Sequence, residues 1–110
     1  MQVKVTARHF KLTEELKQYA ENEILKLTKY YDDIIDSEII LWWENKDRIA
    51  EINISVYNKI ISVHKRSDIM VKSIDMCVQK LKRKLKQYKD RRRDFEHESV
   101  NEHLENEVEK

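Results

Sequence analysis

Between Lys72 and Arg93 the chain carries ten basic residues against two acids, Asp75 and Asp90. Among the ten are Lys80, Lys82, Arg83, Lys84, Lys86, Lys89 and the run Arg91-Arg92-Arg93. Side chains of this kind at this density neutralise phosphates through charge-assisted hydrogen bonds, and they do so without making or breaking a bond. Solubility is served better by mixed signs, so the imbalance points to an anionic polymer, RNA or DNA, as the partner. Other chemistries find little support. His9, His64, His97 and His103 share no compact ligand spacing with Cys77, the one cysteine, so no metal site is expected. No nucleophile–base pair and no paired buried carboxylates stand out, which argues against an enzyme. The chain has no glycine, and without one the phosphate-cradling P-loop and dinucleotide fingerprints are excluded, so no cofactor is expected.

The basic residues are presented by a helix. Met70, Ile74, Cys77, Val78, Leu81, Leu85 and Tyr88 recur at spacings of three and four and form one apolar stripe. At about 100° per residue, Lys80, Lys84 and Arg91 fall on one flank of that stripe and Lys82, Lys86, Lys89 and Arg93 on the other, with Arg83 pointing away from it. Cys77 lies on the stripe and reads as a small core residue.

The formal net charge of +1 averages two opposite blocks. Residues 94–110 hold seven acids and one lysine, which leaves residues 1–93 at +7. The expected division is a basic folded domain over 1–93 and an acidic, flexible tail over 94–110, where Val100, Leu104 and Val108 would also permit a continued helix. With 110 residues, one modest core is all the chain can build. Met1 leads at once into a strand pattern, and no apolar run approaches the ~20 residues of a membrane span; a soluble cytoplasmic protein is the expectation.

Val3, Val5 and Ala7 alternate with Lys4, Thr6 and Arg8 in a half-buried strand. Thr13 is a plausible N-cap with Glu14 and Glu15 behind it, and Leu16, Ala20, Ile24, Leu27 and Tyr31 make the buried face of a helix ending around Tyr31. Three strand-like runs follow. In Ser37–Glu44, Ile39, Leu41 and Trp43 share one face and Ile40 and Trp42 the other. Residues Asn45 to Arg48 read as a polar turn. Ile49–Tyr57 places Ala50, Ile52, Ile54 and Val56 inward, Asn58-Lys59 makes a two-residue turn, and Ile60–Arg66 returns with Ile61 and Val63 inward. Ser67 or Asp68 should cap the long helix. The fold class is thus α+β, in the order β-α-β-β-β-α: a parallel pair bridged by the first helix, an antiparallel meander, and both helices on one face of a four-stranded sheet. Trp43 is expected in the core. Trp42 and Tyr57 are expected on the open face, where an aromatic could stack on a base or meet a protein partner.

The chain resembles the ribosome hibernation-promoting factor family, which includes ribosome-associated inhibitor A. The likeness runs through Met1-Gln2-Val3, Arg8-His9-Phe10, Leu12-Thr13, Lys26-Leu27, Lys29-Tyr30-Tyr31-Asp32, Ile74-Asp75, Lys80-Leu81, Arg83, Leu85-Lys86 and Tyr88-Lys89. The resemblance implies a sandwich similar to double-stranded RNA-binding domains, and a partner: the small ribosomal subunit, contacted through its rRNA near the decoding centre, where mRNA and tRNA sit. It implies a factor that keeps idle ribosomes silent and intact under stress. By that resemblance the RNA-binding positions are Arg8, Lys26, Lys29, Lys80, Arg83, Lys86 and Lys89, with Lys82, Lys84, Arg91, Arg92 and Arg93 extending the surface. Glu23 stands where the family is often basic, Ala7 where it usually has glycine, and Tyr57-Asn58-Lys59 replaces its Pro-Gly-rich hairpin. The alternative is a protein-interaction module that works through the open sheet.

Overall fold

The structure is a computed structural model and describes residues 2–57 and 59–98, with side chains as far as Arg91. The elements are β1 (Gln2–Arg8), α1 (Glu14–Tyr30), β2 (Asp36–Glu44), β3 (Asp47–Val56), β4 (Lys59–Ser67) and α2 (Met70–Glu98). They build one four-stranded sheet in the order β1-β2-β3-β4. β1 runs parallel to β2, in a register from Gln2 opposite Asp36 to Arg8 opposite Trp42, while β2–β3 and β3–β4 are antiparallel. β1, β2 and β4 therefore point the same way. Each helix returns from a strand of that direction, so α1 and α2 run side by side with the same sense.

The core lies between the sheet and this helical pair. Ile39, Leu41, Ala50, Ile52, Ile54, Val56, Ile61 and Val63 from the strands meet Ala20, Ile24 and Leu27 of α1 and Ile74, Cys77, Val78, Leu81 and Leu85 of α2. Burying each large aliphatic of this set contributes roughly 1.5–3 kcal/mol, and that burial holds α2 flat against β3 and β4.

Local chemistry sets the helix ends. Thr13 is extended (φ −84°, ψ 159°) and its hydroxyl accepts the Leu16 amide at 3.2 Å, with Glu14 and Glu15 at the positive end of α1. α2 starts differently from expectation. Neither Ser67 nor Asp68 is its cap; the first helical amide bond runs from Ser73 to the Ile69 carbonyl at 3.1 Å. Ser67 instead closes a local turn by accepting the Ile69 amide at 3.3 Å. The buried Ser73 hydroxyl donates to the Arg48 carbonyl at 2.5 Å and pins the start of α2 to β3.

The hairpins differ from the sequence pattern, the first in length and the second by a shift of one residue. Glu44 pairs with Asp47, so only Asn45 and Lys46 turn the chain, and Asn45 takes a positive φ of 57° that asparagine tolerates. Lys59 pairs with Val56, so residues 57 and 58, not Asn58-Lys59, join β3 to β4; Asn58 itself lies outside the described residues. The expected burial of Trp43 is also corrected. It shares the helix face of β2 but stands near the strand's end, past the cover of both helices, and is 42 % exposed. Phe10 stacks parallel to it at 5.1 Å and the Arg48 guanidinium sits 4.1 Å from its ring centre. Conversely, the open face carries a small apolar cluster of its own, where Ile49, on the same strand face as Glu51, is 1 % exposed. Ile49 lies opposite Trp42 in the register, beside buried Ile40.

Candidate nucleic-acid interface

α2 is a ridge whose buried stripe faces the sheet and whose two flanks face different neighbours. On the α1 side, Lys82 meets Lys26 and Lys29 across a cleft of about 240 Å³, closed below by Leu27 and Val78 and bordered by Glu23 and Tyr30. Tyr30 is 70 % exposed at its lip. Lys89 holds its ammonium 5.7 Å from the centre of the Tyr31 ring, a cation–π contact to the end of α1. This side is partly neutralised: Lys26 pairs with Glu23 at 2.9 Å, and Lys86 pairs with Asp90 one turn on at 3.2 Å.

On the other flank, Lys84 donates to the Ser62 carbonyl of β4 at 3.2 Å. A groove of about 300 Å³ runs between β4 and α2 and is lined by Lys59, Lys84, Gln87, Tyr88 and Arg91. Further along the same seam, Lys65 and Lys80 both lie within electrostatic reach of the Cys77 thiol. Arg83 is exposed, as its direction away from the stripe requires.

Among the described residues, a part-buried hydrogen bond ties the two helices. The Tyr19 hydroxyl of α1 donates to the Asp75 carboxylate of α2. That bond, with partial burial behind it, pushes the phenol up to about 12. It fixes the spacing at which the cations of α1 face those of α2.

Of the expected site residues, the structure brings together Lys26, Lys29 and Lys82 in one cleft, and Lys84 and Arg91 in another. Lys80, Arg83, Lys86 and Lys89 lie along α2 between or beside them. Arg8 is elsewhere. Strand alternation puts it on the open face, opposite Trp42, with its guanidinium 5.9 Å from that ring. Arg92 and Arg93 continue the helix backbone, but their side chains lie outside the described residues, as does all of the tail after Glu98. Sequence reasoning missed Lys59 and Lys65. The signal was present, since both have the parity of the inward residues Ile61 and Val63 and so share the helix face of β4. Tyr30, not among the expected site residues, is also at the cleft.

Among the described residues, no group of three or more His, Cys, Asp and Glu stands close enough to hold a metal ion. Burial pushes the Cys77 thiol up to about 12, and its S–H donates to the Ala50 carbonyl at 3.1 Å, so this sulfur is no ready nucleophile. Among the described residues, no helix is long and apolar enough to cross a membrane.

A family model described as "Sigma 54 modulation protein / S30EA ribosomal protein" matches residues 3–93, which is every element from β1 through the basic part of α2. The chain belongs to this family. Family relatives include the ribosome hibernation promoting factor of Pseudomonas putida, 23 % identical over 91 residues that make up 83 % of this chain and 89 % of the relative. The factor of the same name from Escherichia coli is 26 % identical over 91 residues, with 83 % and 96 % covered. The Bacillus subtilis ribosome hibernation promotion factor is 23 % identical, and the match spans only 49 % of that longer protein. In fold, the chain is similar to a ribosomal subunit interface protein from Coxiella burnetii, with a TM-score of 0.77 at 23 % identity over 82 % of this chain and 99 % of that one. It is likewise similar to the N-terminal domain of Protein Y from Thermus thermophilus, with a TM-score of 0.73 at 22 % identity over 80 % and 99 %. The family match thus ends where the basic run Arg91–Arg93 ends, and the acidic tail lies beyond it.

Proposed function

We propose that the chain is a cytoplasmic, ribosome-binding translation silencer that lodges in the mRNA/tRNA channel of the small ribosomal subunit and holds idle ribosomes inactive. The single observation that carries this reading is α2, a helix seated on a rigid sheet with cations on both flanks, in a chain whose family relatives are ribosome hibernation factors. A stiff rod with lysines and arginines at fixed spacing neutralises several rRNA phosphates at once. Each contact releases counterions and adds about 0.7–0.9 to the slope of log affinity against log salt. Base identity matters little to such binding, so selectivity comes from the shape of folded RNA. Inhibition is steric: a folded body where mRNA and tRNA sit excludes both, and no covalent step is needed.

Open-face features favour a second reading, a protein-docking sheet, because Tyr57 and Ile60 are both well exposed beside β3 and β4. Salt-titrated co-sedimentation with purified small subunits separates the two. The silencer reading expects Trp42→Ala and Tyr57→Ala to bind like wild type and the K80E/R83E/K86E triple to stay in the supernatant at 150 mM salt. The converse pattern would establish the open sheet as the docking surface.

A further inference from the structure

The sequence places cations on both flanks of the second helix, with Lys26 and Lys29 on the first; the structure sets those two flanks against different neighbours, so that two grooves form. We infer that α2 is clasped between two RNA backbones, the second of which runs in the groove between α2 and the edge strand β4. This rests on the RNA-binding reading above and adds to it a second phosphate track, built by Lys59, Lys65, Lys80, Lys84 and Arg91.

Three observations carry it. The first is charge purity. The α1-side cleft includes Glu23, which already holds Lys26, whereas among the described residues the β4-side groove is lined by three cations and no acid. The second is position. Lys84 is steered by its bond to the Ser62 carbonyl, so its ammonium is held over the groove, and little side-chain entropy is left to lose on binding. The third is spacing. From Lys80 to Arg91 the rod advances about 16 Å, and Lys65 and Lys59 stand at the two ends of the facing strand stretch, bracketing Ile61 and Val63. Cations thus follow the seam on both of its walls.

A helix with side chains is about 10–12 Å across, and a partner that touches both flanks must place a backbone on each side of it. The wide, shallow minor groove of A-form RNA, or two strands converging in a folded RNA, has that form. The competing explanation is that lysines on β4 merely keep an exposed sheet edge from pairing with another chain. In that case they serve solubility and touch no RNA.

Binding to purified small ribosomal subunits, measured by fluorescence anisotropy from 50 to 300 mM potassium chloride, decides between them. Two triples are compared with wild type: K59Q/K84Q/R91Q on the β4 side and K26Q/K29Q/K82Q on the α1 side. Because Lys84→Gln also loses the bond to Ser62, K59Q/R91Q is measured alongside, and a thermal melt checks the fold of each. The expected result is that each triple lowers the salt slope by about two units, with K59Q/R91Q intermediate. A β4-side triple with unchanged slope, beside an α1-side triple with a reduced one, overturns the second track; if that triple also self-associates, edge protection is its role. Wild type that ignores small subunits even at 50 mM overturns the ribosome reading and this inference together.

Discussion

The two faces of the sheet treat charge in opposite ways. On the open face, charged groups meet partners across the strands. Arg66 pairs with Asp47 at 2.7 Å, Arg8 covers Trp42, and Asn53 bridges Glu51 and Ser62. On the helix side the strands are sealed beneath α1 and α2, and the charge sits one layer further out, where cations outnumber the acids near them. A field strong enough to hold a polyanion needs that surplus on a platform that does not yield. The open face pairs charge across its strands; the helix face pairs part of its charge and keeps a surplus of cations.

The largest effect should come from removing the support beneath the cations. Leu81 is fully buried under the middle of the basic stretch. Leu81→Ala should cost about 2–5 kcal/mol in chemical denaturation and cut small-subunit binding with it, since the cations lose their platform. Ile49 is equally buried but belongs to the small open-face cluster. Ile49→Ala should cost about 2 kcal/mol, at the low end of such truncations, and leave the affinity of the folded fraction unchanged. Equal binding losses from both would mean that the two faces are not separable.

Alkaline titration probes two bonds that seat α2, Tyr19 to Asp75 and Cys77 to the Ala50 carbonyl. Tyr19 and Cys77 both have pKa values raised to about 12 in the folded chain, above the ordinary 10 and 9. Folding therefore favours their protonated forms; that stabilisation is complete below about pH 9 and drains away as pH climbs toward 12. Unfolding free energy measured across this window should fall, and less steeply in Tyr19→Phe and in Cys77→Ala. At neutral pH, Tyr19→Phe should cost about 1 kcal/mol for the bond lost to Asp75 and weaken RNA binding slightly by loosening the helix spacing. The smallest effect belongs to the exposed pair on the open face: Arg66→Ala should change stability by at most about 1 kcal/mol and leave binding intact.

Much of this fold is legible in periodicity. The strict alternation of Ala50, Ile52, Ile54 and Val56, and the three-four spacing from Met70 to Tyr88, each name one buried face, and all of these residues are buried. Local patterns say which face a residue takes but not how far along the sheet its cover extends, which is why Trp43 is exposed. Without glycine or proline to mark them, the tight hairpins hide in ordinary residues; Asn45 takes the positive φ unannounced. The cations of α2 are plain in the sequence, yet the grooves they line depend on partners far away in the chain, Lys59 and Ser62 on one flank and Lys26 and Lys29 on the other. The Tyr19–Asp75 bond spans 56 residues and is invisible to any local rule. Arg8 lies apart from the other expected site residues, since its strand points it away from the helices.

Directed hydroxyl-radical probing locates α2 on the small subunit. Cys77, the only cysteine, is buried, so a Q87C variant accepts an iron chelate at one exposed site on α2. Bound to small subunits, it should cut only rRNA that lines the mRNA and tRNA channel, and the cuts should vanish when mRNA and tRNA are loaded first. Cuts on the outer surface of the subunit, or cuts that persist beside bound tRNA, would contradict the account.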